Sequence, residues 1–145
     1  MDAHNYTSIV ETTALTAVFA FKDKILRAVA PAYGWQQLVR ALKLGQLKVA
    51  CPIVDGEYAG VALYEFVAYQ NGTVYLRIVG LAGNEVERWL EALVKWAIGK
   101  CQDLALDGIE ICGRKGWAKV LAKYEPQEFA YLRLEVPWDS EQARP

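Results

Sequence analysis

Residues 73–124 read TVYLRIVGLAGNEVERWLEALVKWAIGKCQDLALDGIEICGRKGWAKVLAKY, and the fold prediction starts from this segment. TVYLRIV alternates like a β-strand. A long amphipathic helix begins at Asn84, at the end of the glycine-bearing turn GLAGNE, and Glu87 completes a variant of the capping box. Its apolar side includes Trp89 and Trp96, and the helix is expected to fade near residues 99–105. A short strand and a short basic helix follow, over residues 109–112 and 117–124. This order predicts a βαβ unit, with parallel strands and the helix across one face of the sheet.

The chain before this unit predicts two helices and an antiparallel meander. The first helix ends before Pro31, which bars its continuation, and the second ends at Gly45. Asn71-Gly72 predicts a type I′ hairpin, because both central residues of that turn need a positive φ. The expected helices span residues 12–30 and 35–44, and the expected strands span 47–54, 58–69, 73–79 and 129–136, with a further short strand around Ile9 and Val10.

This pattern predicts one α+β domain. Its central sheet is mixed, an antiparallel meander followed by a parallel βαβ pair, and helices cover both faces. A chain of 145 residues suffices for one hydrophobic core and is short for two. The domain is therefore expected to span residues 1–136, and the polar residues 137–145 are expected to form a flexible C-terminal tail.

Composition restricts the classes of partner and compartment. The net charge of −1 gives no general attraction to nucleic acid or to an anionic membrane. The apolar run over residues 14–21 is too short to cross a bilayer, and no signal peptide is recognisable. Cys51, Cys101 and Cys112 show no CxxC spacing, so buried, reduced thiols are expected, and no His, Cys and acid cluster has metal-ligand spacing. These features predict an intracellular protein whose partners are other proteins.

The order of the elements resembles the GNAT fold of acetyl-CoA-dependent N-acetyltransferases. The likeness covers residues 12–136. The segment IEICGRKGWAKVLAKY, residues 109–124, also resembles small GNAT-like proteins of tailed bacteriophages, some of which are virion components. The resemblance implies a GNAT-like domain that uses acetyl-CoA if it is active.

A coenzyme loop is the first landmark that the resemblance implies. Enzymes of this fold hold the pyrophosphate with an Arg/Gln-x-x-Gly-x-Gly/Ala loop, and residues 77–82, RIVGLA, fit that pattern. On the short helix, Arg114 occupies the position of an asparagine that contacts the coenzyme. The implied coenzyme-binding residues are Gly80, Leu81, Ala82, Gly83 and Arg114.

Two acids oppose this assignment. Glu85 and Glu87 lie in the first turn of the long helix, where carboxylates satisfy the helix dipole and repel a diphosphate. The favoured interpretation is therefore that residues 77–79 only continue the strand and that no cofactor binds.

The residues expected to transfer protons match the family poorly. The tyrosine that protonates the departing thiolate in the family aligns with Leu121, which cannot donate a proton. Tyr124 is the nearest substitute, although it points in another direction on a helix. Glu65 is the candidate base, and its alternative role is that of a solvated strand residue. His4 is the only histidine, which argues against a Ser-His or Cys-His mechanism.

Candidate interaction residues are basic or aromatic. Lys115, Lys119 and Lys123 recur at i, i+4 and i+8 on the short helix. They are interpreted as a solvated face, as a contact for the 3′-phosphate of the coenzyme, or as a docking site for an acidic protein surface. Trp35 and Trp138 lie near the ends of elements and are candidate anchors for a partner.

Three functions are compatible with these features. The favoured one is a catalytically degenerate GNAT-like structural or interaction protein of a phage particle, with virion proteins or further copies of the chain as partners. The alternatives are an N-acetyltransferase acting on an amine and a small regulatory binder of a host protein. The expected location of the protein is the host cytoplasm or the virion.

Overall fold

A computed structural model describes residues 7–29, 32–112 and 116–129, together with Leu134. One sheet has helices on both of its faces. The elements in chain order are β1 Thr7–Thr12, α1 Thr16–Ala20, α2 Lys22–Val29, α3 Trp35–Lys43, β2 Lys48–Val54, β3 Glu57–Tyr58, β4 Gly60–Ala68, β5 Val74–Gly83, α4 Val86–Leu104, β6 Gly108–Ile111, α5 Gly116–Val120 and a 3₁₀ turn Ala122–Tyr124.

The described residues start with the expected short strand, β1, and two short helices follow where one long helix was predicted. Thr12, the first residue of the expected helix, ends β1 instead, and its Oγ1 accepts a hydrogen bond from the N–H of Ala14 (3.0 Å). Phe21 separates α1 from α2. The prediction for α3 is confirmed to within one residue, since Gly45 follows the helix at φ 74, the left-handed conformation that ends helices on glycine.

The sheet is mixed, as predicted. Its strand order is β1-β2-β4-β5-β6, and β3 pairs with β2 outside this path. Neighbours from β1 to β5 are antiparallel, whereas β5 and β6 are parallel and joined through α4. The prediction of an α+β fold with a meander and a parallel βαβ pair is therefore confirmed.

One hairpin turn differs from the prediction. Gly72 has φ 88, but Asn71 does not have a positive φ. The N–H of Gly72 donates to the carbonyl oxygen of Tyr69 (3.0 Å), and Oδ1 of Asn71 accepts from the N–H of Thr73 (3.0 Å). The connection is a type I turn followed by a left-handed glycine, because the asparagine stabilises the turn through its side chain rather than through its own φ.

An irregularity in β5 changes the face to which its side chains point. Leu63 and Tyr64 of β4 pair with Gly80 and Ile78, so Val79 is an extra residue that forms a β-bulge. Before the bulge the even-numbered residues of β5 pack in the core beside α4, and after it an odd-numbered residue does so.

Each face of the sheet has its own hydrophobic core. Full burial of one large apolar side chain stabilises the fold by about 1.5–3 kcal/mol, so these two cores supply most of the driving force. The α4 core contains Ala50, Ala62, Tyr64, Leu76, Ile78, Leu81, Trp89, Leu90, Leu93, Val94, Ala97, Cys101 and Leu121. The α1–α3 core contains Ala17, Val18, Ile25, Val29, Leu38, Ala41, Leu47, Val49, Cys51, Val61, Leu63 and Ala82.

The start and end of α4 also differ from the prediction. Its N-cap is Glu85, at φ 47, and Glu85 makes no side-chain capping hydrogen bond. Asn84 precedes the cap, so the expected capping box is wrong. The carbonyl oxygen of Asn84 accepts from the indole N–H of Trp89 (2.9 Å). The helix was expected to fade from Gly99, but it continues to Leu104, because residues of its last turns, such as Cys101, are still buried in the α4 core.

The described C-terminal residues have less regular structure than predicted. The expected helix over residues 117–124 is divided into α5 and the 3₁₀ turn. Phe129 and Leu134, the two described residues of the predicted last strand, are exposed and not in a strand. The remainder of that strand and the predicted tail, residues 137–145, lie outside the described residues.

A pair of glycines brings β4, β5 and α4 into close contact. Gly60 pairs with Gly83 at the end of the β4–β5 ladder. A Cβ on Gly60 would lie 2.5 Å from the carbonyl oxygen of Ala82 and 2.7 Å from Cζ2 of Trp89. Glycine at this position therefore lets the fully buried indole lie directly against the strands.

Substitution of alanine is expected to have opposite effects at two glycines. Gly60→Ala should lower the free energy of unfolding by about 1–3 kcal/mol, because the methyl group meets backbone and a buried ring. Gly99→Ala places a methyl group in open space on a helix, so it should raise the free energy of unfolding by roughly 0.5–1 kcal/mol. Urea denaturation measures both values. A stabilising Gly60→Ala would contradict the close packing of Trp89.

Candidate functional site

The strands β5 and β6 separate at a fork, which is defined by Ile78, Val79 and Cys112. The last hydrogen bond between the two segments runs from the N–H of Cys112 to the carbonyl oxygen of Ile78 (2.9 Å). Beyond it β5 continues to Gly83 and pairs with β4 alone. Within the described ranges no strand pairs with the other edge of β5 after the bulge, so this edge can accept an extended ligand.

The predicted coenzyme loop is part of this strand. Gly80, Leu81 and Ala82 lie in β5 and are buried, so residues 77–79 continue the strand as the competing interpretation held. A Cβ on Gly80 would lie 2.7 Å from Cγ1 of Val29, so glycine permits the close approach of α2. Contacts between these residues and a coenzyme stay a prediction. Because one edge of the strand pairs with β4, the backbone groups left for such contacts are those on the free edge of β5.

The turn from β5 to α4 carries both signs of charge. Glu85 forms an ion pair with Arg88 (3.0 Å), and Nζ of Lys24 in α2 donates to Oδ1 of Asn84 (2.9 Å). The expectation from the sequence rested on the two acids at this helix start alone, although Arg88 directly follows Glu87. The tertiary structure corrects that expectation, because α2 brings a lysine from 60 residues away. Together with Glu87, the turn then has two acids and two bases.

The first turn of α4 is also open to an anion in its hydrogen bonding. Glu85 caps the helix in the left-handed conformation, and its carboxylate bonds Arg88 instead of the backbone. The N–H groups of a helix start that lack side-chain acceptors can bind an anion.

Arg77 is at the centre of a polar cluster on the sheet. Its guanidinium contacts Glu110 (Nε to Oε1, 3.0 Å), Glu65 (Nη1 to Oε1, 3.5 Å) and the hydroxyl of Tyr69 (Nη2 to Oη, 3.1 Å). The Tyr69 hydroxyl in turn donates to Glu110 (2.6 Å). Arg77, predicted to open a coenzyme loop, therefore links β4, β5 and β6, and Glu65, the candidate base, is engaged by it.

The three cysteines differ in environment. Cys51 is in the α1–α3 core, and burial raises its pKa to about 11. Cys101 is buried in the α4 core, and burial also raises the pKa of this thiol. Cys112 is exposed at the fork, although it was predicted to be buried with the others. Desolvation raises the pKa of Cys112 as well, while the charge of Arg77 opposes the rise.

The 3₁₀ turn and the residue before it contain Leu121, at the position of the family's catalytic acid, and Tyr124, its candidate substitute. Leu121 is buried in the α4 core, which explains an apolar residue at this place. Tyr124 is half-buried and packs at the margin of the same core. The role of Tyr124 as an acid stays a prediction.

The predicted interaction residues lie in different environments. Lys119 is exposed, whereas Lys123 forms an ion pair with Glu91 of α4 that raises the pKa of the lysine. Trp35 is half-buried beside the α1–α3 core. Arg114, Lys115 and Trp138 lie outside the described residues.

The described part of the chain has neither a metal-ligand cluster nor a membrane-spanning helix. No group of three or more His, Cys, Asp or Glu residues there could hold a metal ion. Among the helices described, none is long and apolar enough to cross a membrane.

Comparison with solved structures identifies the fold. A ribosomal-protein-alanine N-acetyltransferase from Brucella melitensis biovar Abortus 2308 is 11% identical, with a TM-score of 0.63, over 90% of this chain and 99% of that chain. A predicted acetyltransferase from Clostridium acetobutylicum, solved with acetyl-CoA, is 10% identical, with a TM-score of 0.62, over 90% and 96%. A transcriptional regulator from Bacillus halodurans C-125 is 18% identical, with a TM-score of 0.61, over 92% and 100%.

These likenesses establish the GNAT fold and leave the activity open. No family model matches the sequence, and no curated protein sequence matches it. The fold prediction is confirmed, whereas nothing in these comparisons points to a phage protein.

Thiol labelling checks the geometry of the fork. In native protein we expect one fast equivalent with Ellman's reagent, from Cys112, because the other two thiols are buried with raised pKa values. The fast rate should increase with pH, since the thiolate is the reacting species. Cys112→Ser should remove the fast phase. Fast labelling of two or three thiols in folded protein would show that Cys51 or Cys101 is accessible.

Proposed function

We propose that this chain binds acetyl-CoA at the fork and transfers the acetyl group to an amine. The observation that carries the proposal is the free edge of β5. This edge runs from the bulge at Val79 toward the start of α4, where no side chain makes a capping hydrogen bond. Two of the proteins that share the fold are named acetyltransferases, and one of these two was solved with acetyl-CoA.

The residues present at the site fit such a ligand. The amide groups of the pantetheine arm match an unpaired strand edge, which offers alternating donors and acceptors. The diphosphate matches the first turn of α4, where Lys24 and Arg88 supply the cations that offset Glu85 and Glu87. Acetyl-CoA supplies the activated acetyl group of the reaction.

Two side chains are proposed to handle protons. The acceptor amine loses a proton as its nitrogen bonds to the acetyl carbon, and the coenzyme sulfur gains a proton as its bond to that carbon breaks. We assign the first proton to Glu65, whose carboxylate lies at the polar cluster of β4–β6, and the second to Tyr124.

Calorimetric titration tests coenzyme binding. Acetyl-CoA is expected to bind with a Kd on the order of micromolar, and Lys24→Glu or Arg88→Glu should weaken binding about tenfold, because each places a negative charge near the diphosphate. Lys95→Glu, an exposed substitution on the same helix, is the matched control. Acetyl-pantetheine lacks the diphosphate, so its affinity should not respond to Lys24→Glu. Absence of any binding heat from native protein would refute the coenzyme site.

Thiol release with a panel of primary amines tests turnover. Tyr124→Phe should reduce kcat by about 10²-fold or more with little change in acetyl-CoA affinity, as expected for the loss of a general acid. Leu121→Ala is a control for packing, because it disturbs the same core without removing a hydroxyl. Equal rates for native protein and Tyr124→Phe would exclude this tyrosine as the acid.

The second candidate is the structural or interaction protein favoured by the sequence. Burial of Leu121 at the position of the acid and the engagement of Glu65 by Arg77 support it. It predicts no thiol release with any amine, whether or not acetyl-CoA binds. The further expectation of a place in a phage particle is a separate proposal, and mass spectrometry of purified particles would test it.

A further inference from the structure

A groove on the outer side of α1 and α3 is formed by residues that take no part in the fork. It is shallow and open to solvent, with a volume of about 450 Å³. Its walls include Phe19, Trp35, Val39, Arg40, Lys43 and Leu44.

Large apolar side chains in this groove remain exposed. Phe19 is 57% exposed and Leu44 is 60% exposed, so neither contributes its full surface to the α1–α3 core. Trp35 packs edge-to-face against Phe19, with 5.2 Å between ring centroids, and this contact restrains both rings. A pre-ordered apolar patch of this kind favours binding, because little side-chain entropy is lost on contact.

The charged side chains that line the groove are all basic. Arg40 and Lys43 line it, and Nζ of Lys22 lies 4.5 Å from the ring centroid of Trp35. No acidic residue is among those lining the groove, and in the described ranges no carboxylate forms an ion pair with these three cations. The net charge of the chain is −1, so this basic patch is a local departure from the overall balance.

We propose that the groove binds a segment of another protein that carries large apolar side chains flanked by carboxylates. The apolar residues would cover Phe19 and Leu44, and the carboxylates would pair with Arg40 and Lys43 at the rim. A protein segment fits better than a lipid surface, because the site is concave and has only three cations. This inference does not depend on the proposed acetyl transfer.

Selection from a random 16-residue peptide library on the immobilised full chain tests the proposal. The selected peptides should share two or three large apolar residues among acidic residues. One of them, synthesised with a fluorescent label, then gives the affinity by anisotropy. Addition of acetyl-CoA should leave that affinity unchanged.

Matched variants locate the binding site. Arg40→Glu with Lys43→Glu, and separately Leu44→Ser, should each weaken the selected peptide about tenfold or more. Lys95→Glu with Val120→Glu makes a comparable change of charge on α4 and α5, on the other face of the sheet, and should leave the affinity within about twofold. Thermal melts monitored by circular dichroism confirm that each variant is folded.

Three results would overturn the proposal. The first is a neutral or basic consensus among the selected peptides, or no consensus. The second is equal loss of affinity in the α4–α5 control, which would indicate general charge attraction. The third is binding to vesicles containing phosphatidylserine that Arg40→Glu with Lys43→Glu abolishes, in the absence of peptide binding, which would assign the groove to a lipid surface.

Discussion

The strand β5 pairs with β6 over a shorter length than with β4, and this difference determines where the fork lies. Its pairing with β6 ends at Ile78, whereas its pairing with β4 continues to Gly83. The bulge at Val79 lies at this boundary and rotates the following residues, so that β5 stays buried on both faces after its second neighbour is gone. The fork, its free edge and the position of the α4 start all depend on this arrangement.

Close packing explains the glycines of β5 without reference to a ligand. Gly80 admits Val29 of α2, and Gly83 admits the backbone of β4 at Gly60, which in turn admits Trp89 of α4. These contacts hold a helix on each face tightly against the strand. Gly80 also matches a phosphate-loop pattern in sequence, and the structure shows that a packing requirement can produce that match.

Electrostatics at the site is decided by residues distant in sequence. Lys24 reaches the α4 start from α2, and Arg77 joins Glu65 and Glu110 across three strands. The acids of the α4 start are therefore accompanied by cations, which removes the main electrostatic argument against a diphosphate there. The groove of α1 and α3 is a second, separate concentration of cations, and its exposed Phe19 and Leu44 distinguish it from a solvated face.

The sequence by itself determined the fold class, because period-two and period-3.6 patterns and turn residues such as Gly45 act locally and agree with one another. It predicted α3 and the tryptophan side of α4 for the same reason. The tertiary structure alone decided that residues 80–83 are strand, that Lys24 meets Asn84 and that Cys112 is exposed. Each of these depends on which segment lies opposite, and a periodic pattern carries no information about contacts between residues far apart in the chain.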